Sequence, residues 1–68
     1  MSISLDTLRV GKKYYLINDG ERHEFIVLET LGETNFKIKD LLTLEVYELK
    51  ELFDYGKGKD FELEELGR

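Results

Sequence analysis

The sequence predicts an all-β domain, a small five-stranded antiparallel barrel with one short helical or 3₁₀ turn before the last strand. Three observations lead there. Asp19-Gly20, between β-forming runs, has the chemistry of a two-residue hairpin turn, because both positions accept the positive φ that such turns require. Phe36-Lys37-Ile38-Lys39 alternates apolar and charged, the pattern of a strand with one face buried. Phe25-Ile26-Val27-Leu28 is apolar without interruption, which suits a long strand that is covered on both faces or strongly bent, as in small barrels.

Taken in order, Leu5, Leu8 and Val10 precede Gly11 and allow either a single helical turn from near Ser4 or an extended lead-in. The first strand is expected over Lys12 to Ile17, and the second over Arg22 to about Thr30 after the Asn18-Asp19-Gly20-Glu21 turn. Leu31 to Thr34 is a short connection, followed by the alternating third strand. Asp40 to Glu45 must reverse the chain, because Val46-Tyr47-Glu48-Leu49 alternates again. With no glycine or asparagine at its centre this turn is poorly specified, and it places Leu44 near an exposed tip. Lys50 to Tyr55 has helix-compatible spacing and is stopped by Gly56, so a single short turn is expected there. Asp60 to Leu66 is read as a closing strand with Phe61 and Leu63 on one face and Glu62 and Glu64 on the other. The competing reading is a C-terminal helix, favoured by Glu-Leu-Glu-Glu-Leu.

With 68 residues there is room for one domain, spanning 1–68. The chain has no cysteine and one histidine, which excludes a disulfide framework and the usual zinc sites; no metal or cofactor is expected. Packing must supply the stability. No apolar run approaches the roughly 20 residues that cross a bilayer, and the residues after Met1 lack the basic and apolar regions of a signal peptide. A cytoplasmic location is expected, in keeping with the absence of cysteine. Ten basic and fifteen acidic residues give a formal charge of −5, shared by both halves of the chain. An acidic chain begins with a penalty for binding phosphate backbones, so a protein partner or basic peptide segment is favoured over nucleic acid.

The order of hairpin, meander, helical turn and last strand, from Leu8-Arg9-Val10-Gly11-Lys12 through Asp19-Gly20 to Phe61-Glu62-Leu63, resembles small bacterial β-barrels of the Src-homology-3-like and Tudor-like type. The resemblance covers about Leu8 to Leu66 and implies the fold. The chain has no Trp and no acidic-aromatic signature for proline-rich ligands, so the resemblance implies neither that ligand nor any functional residue.

Catalysis has little to rest on. The only serines lie at the N-terminus, and His23 stands alone between Arg22 and Glu24, where it reads as a half-exposed strand residue. The glutamates near the end lack calcium-loop spacing and read as a solvated outer face. Gly56-Lys57-Gly58-Lys59 is a concentrated basic and flexible segment, although it lacks the form of a nucleotide-phosphate loop. Among Tyr14, Tyr15, Tyr47, Phe53 and Tyr55, the adjacent pair Tyr14 and Tyr15 must point to opposite faces of a strand, leaving one outside the core. Tyrosine combines large contact area with a polar tip, and acidic neighbours favour a cationic ligand. The leading expectation is a non-catalytic protein-interaction module anchored by Tyr15, Tyr47 and Tyr55, with homodimerisation through Leu44 as a subsidiary one. The alternative is a nucleic-acid-binding barrel using Tyr55, Lys57 and Lys59 with Lys37 and Lys39.

Overall fold

The computed structural model describes residues 3–54 and 56–66. Five strands, β1 (Lys13–Asn18), β2 (Glu21–Thr30), β3 (Phe36–Asp40), β4 (Val46–Glu48) and β5 (Glu62–Glu65), form one antiparallel sheet in the order β4-β3-β2-β1-β5. Among the described residues the hydrogen-bonded sheet does not close on itself, and β4 and β5 are its two edges. The all-β class, the five antiparallel strands and the 3₁₀ turn before the last strand are as the sequence predicts. Among the described residues the hydrogen bonding does not close the sheet into the expected barrel.

The β1–β2 hairpin forms where its turn chemistry lies, with φ of 52° at Asp19 and 81° at Gly20. Two positive φ values in succession match the right-handed twist of the flanking strands. Strand β2 serves both halves of the sheet. Its residues Glu21 to Ile26 pair with β1, and its residues Phe25 to Thr30 pair with β3. The uninterrupted apolar run is accommodated by bending: register shifts between Val27 and Glu29, Phe25 and Val27 are fully buried, and Leu28 is left 39% exposed. A bulge of this kind adds a residue on one strand and increases the local twist.

Alternation decides the core. Tyr14 and Leu16 of β1, Phe25 and Val27 of β2, Phe36 and Ile38 of β3, and Leu63 of β5 are buried together with Leu8 and Leu49. Of the segment expected to close the fold, Glu62–Glu65 is strand, with Leu63 wholly buried opposite Leu16. The lead-in combines both readings: a 3₁₀ turn at Leu5–Thr7 gives way to extended chain at Leu8. The later turn spans Leu49–Phe53, one residue ahead of expectation, because Leu49 is wholly buried beneath it. Gly56 follows at φ 103° and donates its N–H to the Phe53 carbonyl at 2.9 Å.

One buried polar side chain ties the end of β1 to the 3₁₀ turn and to the loop that precedes β5. Asn18 donates to the carbonyls of Leu52 and Gly56, each at 3.2 Å, and accepts the Gly58 N–H at 2.6 Å. Its amide is thus satisfied on both sides, as burial demands. Among the described residues no helix is long and apolar enough to cross a membrane.

Candidate functional site

Three stretches distant in sequence meet at one end of the sheet. Arg22, His23 and Glu24 at the start of β2, the chain from Asp40 to Tyr47, and Glu51 with Leu52 of the 3₁₀ turn line an open cleft of about 960 Å³. Asp40 organises it. Its Oδ1 accepts the N–H groups of Leu42 at 2.7 Å and Thr43 at 2.9 Å, and its Oδ2 accepts the Tyr47 hydroxyl at 3.3 Å. The same residue's backbone exchanges bonds with Glu45 and Leu44. The β3–β4 turn is therefore specified by a side-chain carboxylate, without glycine or asparagine at its centre. An aspartate that bonds the amides two and three residues ahead is a known turn device, so the signal was present at Asp40. Leu44 adopts φ 65° at the tip and is 63% exposed, and Leu42 is 89% exposed.

These bonds set the protonation chemistry of the cleft. The Thr43 N–H, above all, holds the Asp40 carboxyl below its ordinary value, assisted by Leu42, Tyr47 and the nearby His23 and opposed by burial. Burial, followed by the Asp40 charge, pushes the Tyr47 phenol up to about 12. Tyr47 is thus a neutral hydrogen-bond donor at physiological pH. Around it stand the carboxylates of Asp40, Glu45 and Glu51, whose charges each raise its pKa, while Arg22 at the rim of the cleft donates twice to Glu24 at 2.9 and 3.1 Å. The cleft can therefore accept an added cation beside a phenol ring, where attraction to the ring face and to carboxylates act together.

Of the expected tyrosines, Tyr15 and Tyr47 do not share one surface. Tyr14 is buried and Tyr15 is half-buried on the opposite face of β1, in keeping with alternation. Tyr15 donates its hydroxyl to Glu62 Oε2 at 2.5 Å and carries the Arg22 guanidinium 4.1 Å above its ring. The bond to Glu62 is the main cause of its raised pKa. Tyr47 lies opposite Ile38 and packs against the core, on the other side of the sheet from Tyr15. Tyr55 lies outside the described residues.

The lysines are dispersed. The Lys57 ammonium sits 4.9 Å from the Phe61 ring and 6.0 Å from Phe53, whose rings meet edge to face. Lys59 is exposed. Lys37 is flanked across the sheet by Glu29 and Glu48, and Lys39 by Ile26 and Val46. Among the described residues no group of three or more His, Asp or Glu side chains is placed to hold a metal ion.

His23, Asp40, Glu45 and Glu51 are cleft residues that sequence reasoning did not bring together. They come from separate elements, and only the sheet register joins them. No protein-family model, curated protein or solved structure matches the chain.

Proposed function

We propose that this chain is a non-catalytic protein-interaction module that receives a Lys- or Arg-bearing segment in the cleft beside Tyr47. The observation that carries this reading is the convergence of the Asp40, Glu45 and Glu51 carboxylates on a phenol held neutral by burial and by their charge. A cation entering there meets both negative charge and an aromatic face.

The scaffold is read as an SH3-like barrel. The strand order, a bulged β2 shared between two pairings, and the 3₁₀ turn between β4 and β5 support it. A cytoplasmic location belongs to the same proposal and is in keeping with the absence of cysteine. The nucleic-acid reading has less support, since Lys57 rests on two phenyl rings and Lys37 lies between glutamates on neighbouring strands.

The test is capture of an immobilised peptide rich in lysine and arginine. Tyr47→Ala combined with Tyr55→Ala abolishes capture while the far-ultraviolet circular dichroism stays that of the parent. Undiminished capture by the folded double variant would remove these tyrosines from the site.

A further inference from the structure

We infer that the partner segment binds as an added strand along the free edge of β4, with its basic side chains alternating into the acidic cleft. This deepens the proposed function and rests on it.

The hydrogen-bonding phase of the ladder decides which backbone groups of β4 face outward. Asp40 donates its N–H to the Glu45 carbonyl at 2.8 Å, which makes Asp40 and Glu45 a hydrogen-bonded pair. In an antiparallel ladder such pairs alternate, so Ile38 and Tyr47 form the next one, and Lys39 opposite Val46 is a non-hydrogen-bonded pair. The other side of β3 agrees with this phase. Leu41 donates to the Glu24 carbonyl, so Lys39 turns its backbone toward Ile26 of β2 and away from Val46. The N–H and C=O of Val46 consequently face outward, off the sheet. The same phase turns Glu48 outward, but its N–H is taken by the Glu51 carboxylate at 3.2 Å. Val46 is the open docking point.

Its surroundings are those of a receptor edge. Natural edges are commonly blunted by charge, and here the outward residue is a valine that is 50% exposed, followed along the chain's reverse course by the exposed Leu44 and Leu42. Val46, Tyr47 and Glu51 line the cleft described above and also line a second groove, with Glu29, Leu31, Lys37 and Glu48. Open space therefore flanks β4 on both sides, and carboxylates predominate in both. Strand addition supplies affinity through main-chain bonds and specificity through alternate side chains. The charge selects a segment that alternates apolar and basic residues. A second copy of this chain, itself at −5, is disfavoured by the same field.

The test uses a capped seven-residue peptide alternating valine and lysine, titrated into the isotope-labelled protein, with the valine–glutamate analogue as control. The expected result is a large shift and slowed exchange of the Val46 amide with the lysine peptide alone. Val46→Pro, which removes an N–H that serves no bond within the sheet, weakens binding at least tenfold with the remaining amide spectrum preserved. If the lysine peptide shifts cleft residues but leaves the Val46 amide unmoved, and Val46→Pro binds equally well, the strand mode is overturned and the basic-segment reading stands. If neither peptide shifts any amide at millimolar concentration, both are overturned. A Val46 amide that moves with protein concentration alone overturns the inferred partner in favour of self-pairing.

Discussion

The carboxylate of Asp60 holds the backbone of Gly20 across the molecule: Oδ2 accepts the Gly20 N–H at 2.7 Å while Oδ1 accepts that of Asp19 at 2.8 Å. One side chain thereby clamps the β1–β2 turn to the loop that leads into β5. The clamp also fixes how stability depends on acid. The Gly20 amide, then that of Asp19, lowers the Asp60 carboxyl beneath its ordinary 3.8, and backbone amides do the same for Asp40. Both are depressed groups, so the unfolded chain takes up these protons first as pH falls. Their stabilisation is complete above the unfolded value and is lost as pH drops through the folded ones. Asp60→Asn is expected to lower the urea midpoint at neutral pH, and the gap to the parent should narrow below about pH 4. Equal midpoints at neutral pH would show that the clamp contributes nothing.

At the alkaline end the sign reverses. Tyr47 is raised from 10.0 to about 12, so the unfolded chain loses this proton first and stability falls as pH climbs through that interval. Tyr47→Phe removes the ionisable group and should flatten the decline. Phenolate absorbance of the parent should include one late step near the upper value. A parent in which every phenol titrates together near 10 would contradict the buried contact with Asp40.

Leu44 stands at φ 65° without the side-chain chemistry that makes this region comfortable. Glycine removes the clash between Cβ and carbonyl, worth about 1 kcal/mol against a gain in unfolded-chain entropy of somewhat less. Leu44→Gly is therefore expected to match or exceed the parent in a urea melt, with an unchanged amide spectrum at Asp40 and Tyr47. A loss of more than about 1 kcal/mol would show that the exposed leucine side chain packs in solution.

Leu63 decides whether β5 is indispensable. It is wholly buried, and deleting such a side chain costs about 2–5 kcal/mol. A core of this size supplies only about 3–5 kcal/mol of net stability. Leu63→Ala should leave much of the population unfolded at room temperature, seen as collapse of amide dispersion, whereas Leu66→Ala at a half-buried position should not. A well-folded Leu63→Ala protein would contradict the closing strand.

What could be read from the sequence was what is determined locally. Asp19-Gly20 carries its own turn geometry, and Phe36 and Ile38 alternate with lysines because one face meets the core and the other does not. The opposed placement of Tyr14 and Tyr15 follows from the same period. The apolar run of β2 was ambiguous because covering both faces and bending leave the same residues in a row; the bulge at Val27 and Glu29 depends on which partner strand each half meets. The cleft was least accessible. Tyr47 could be singled out as one of a group of aromatics, but its company of His23, Asp40 and Glu51 arises from pairing between strands. Asp40 appeared only as the start of a weak turn, although its carboxylate turned out to define that turn.

Whether the cleft at Tyr47 takes a cationic segment is decided by amide mapping of the isotope-labelled protein with pentalysine at low and then physiological salt. Saturable shifts centred on His23, Asp40, Tyr47 and Glu51 are expected, weakening with salt as they do for partly exposed charges. Shifts confined to residues 56–60, or a spectrum unmoved by pentalysine, would contradict that binding.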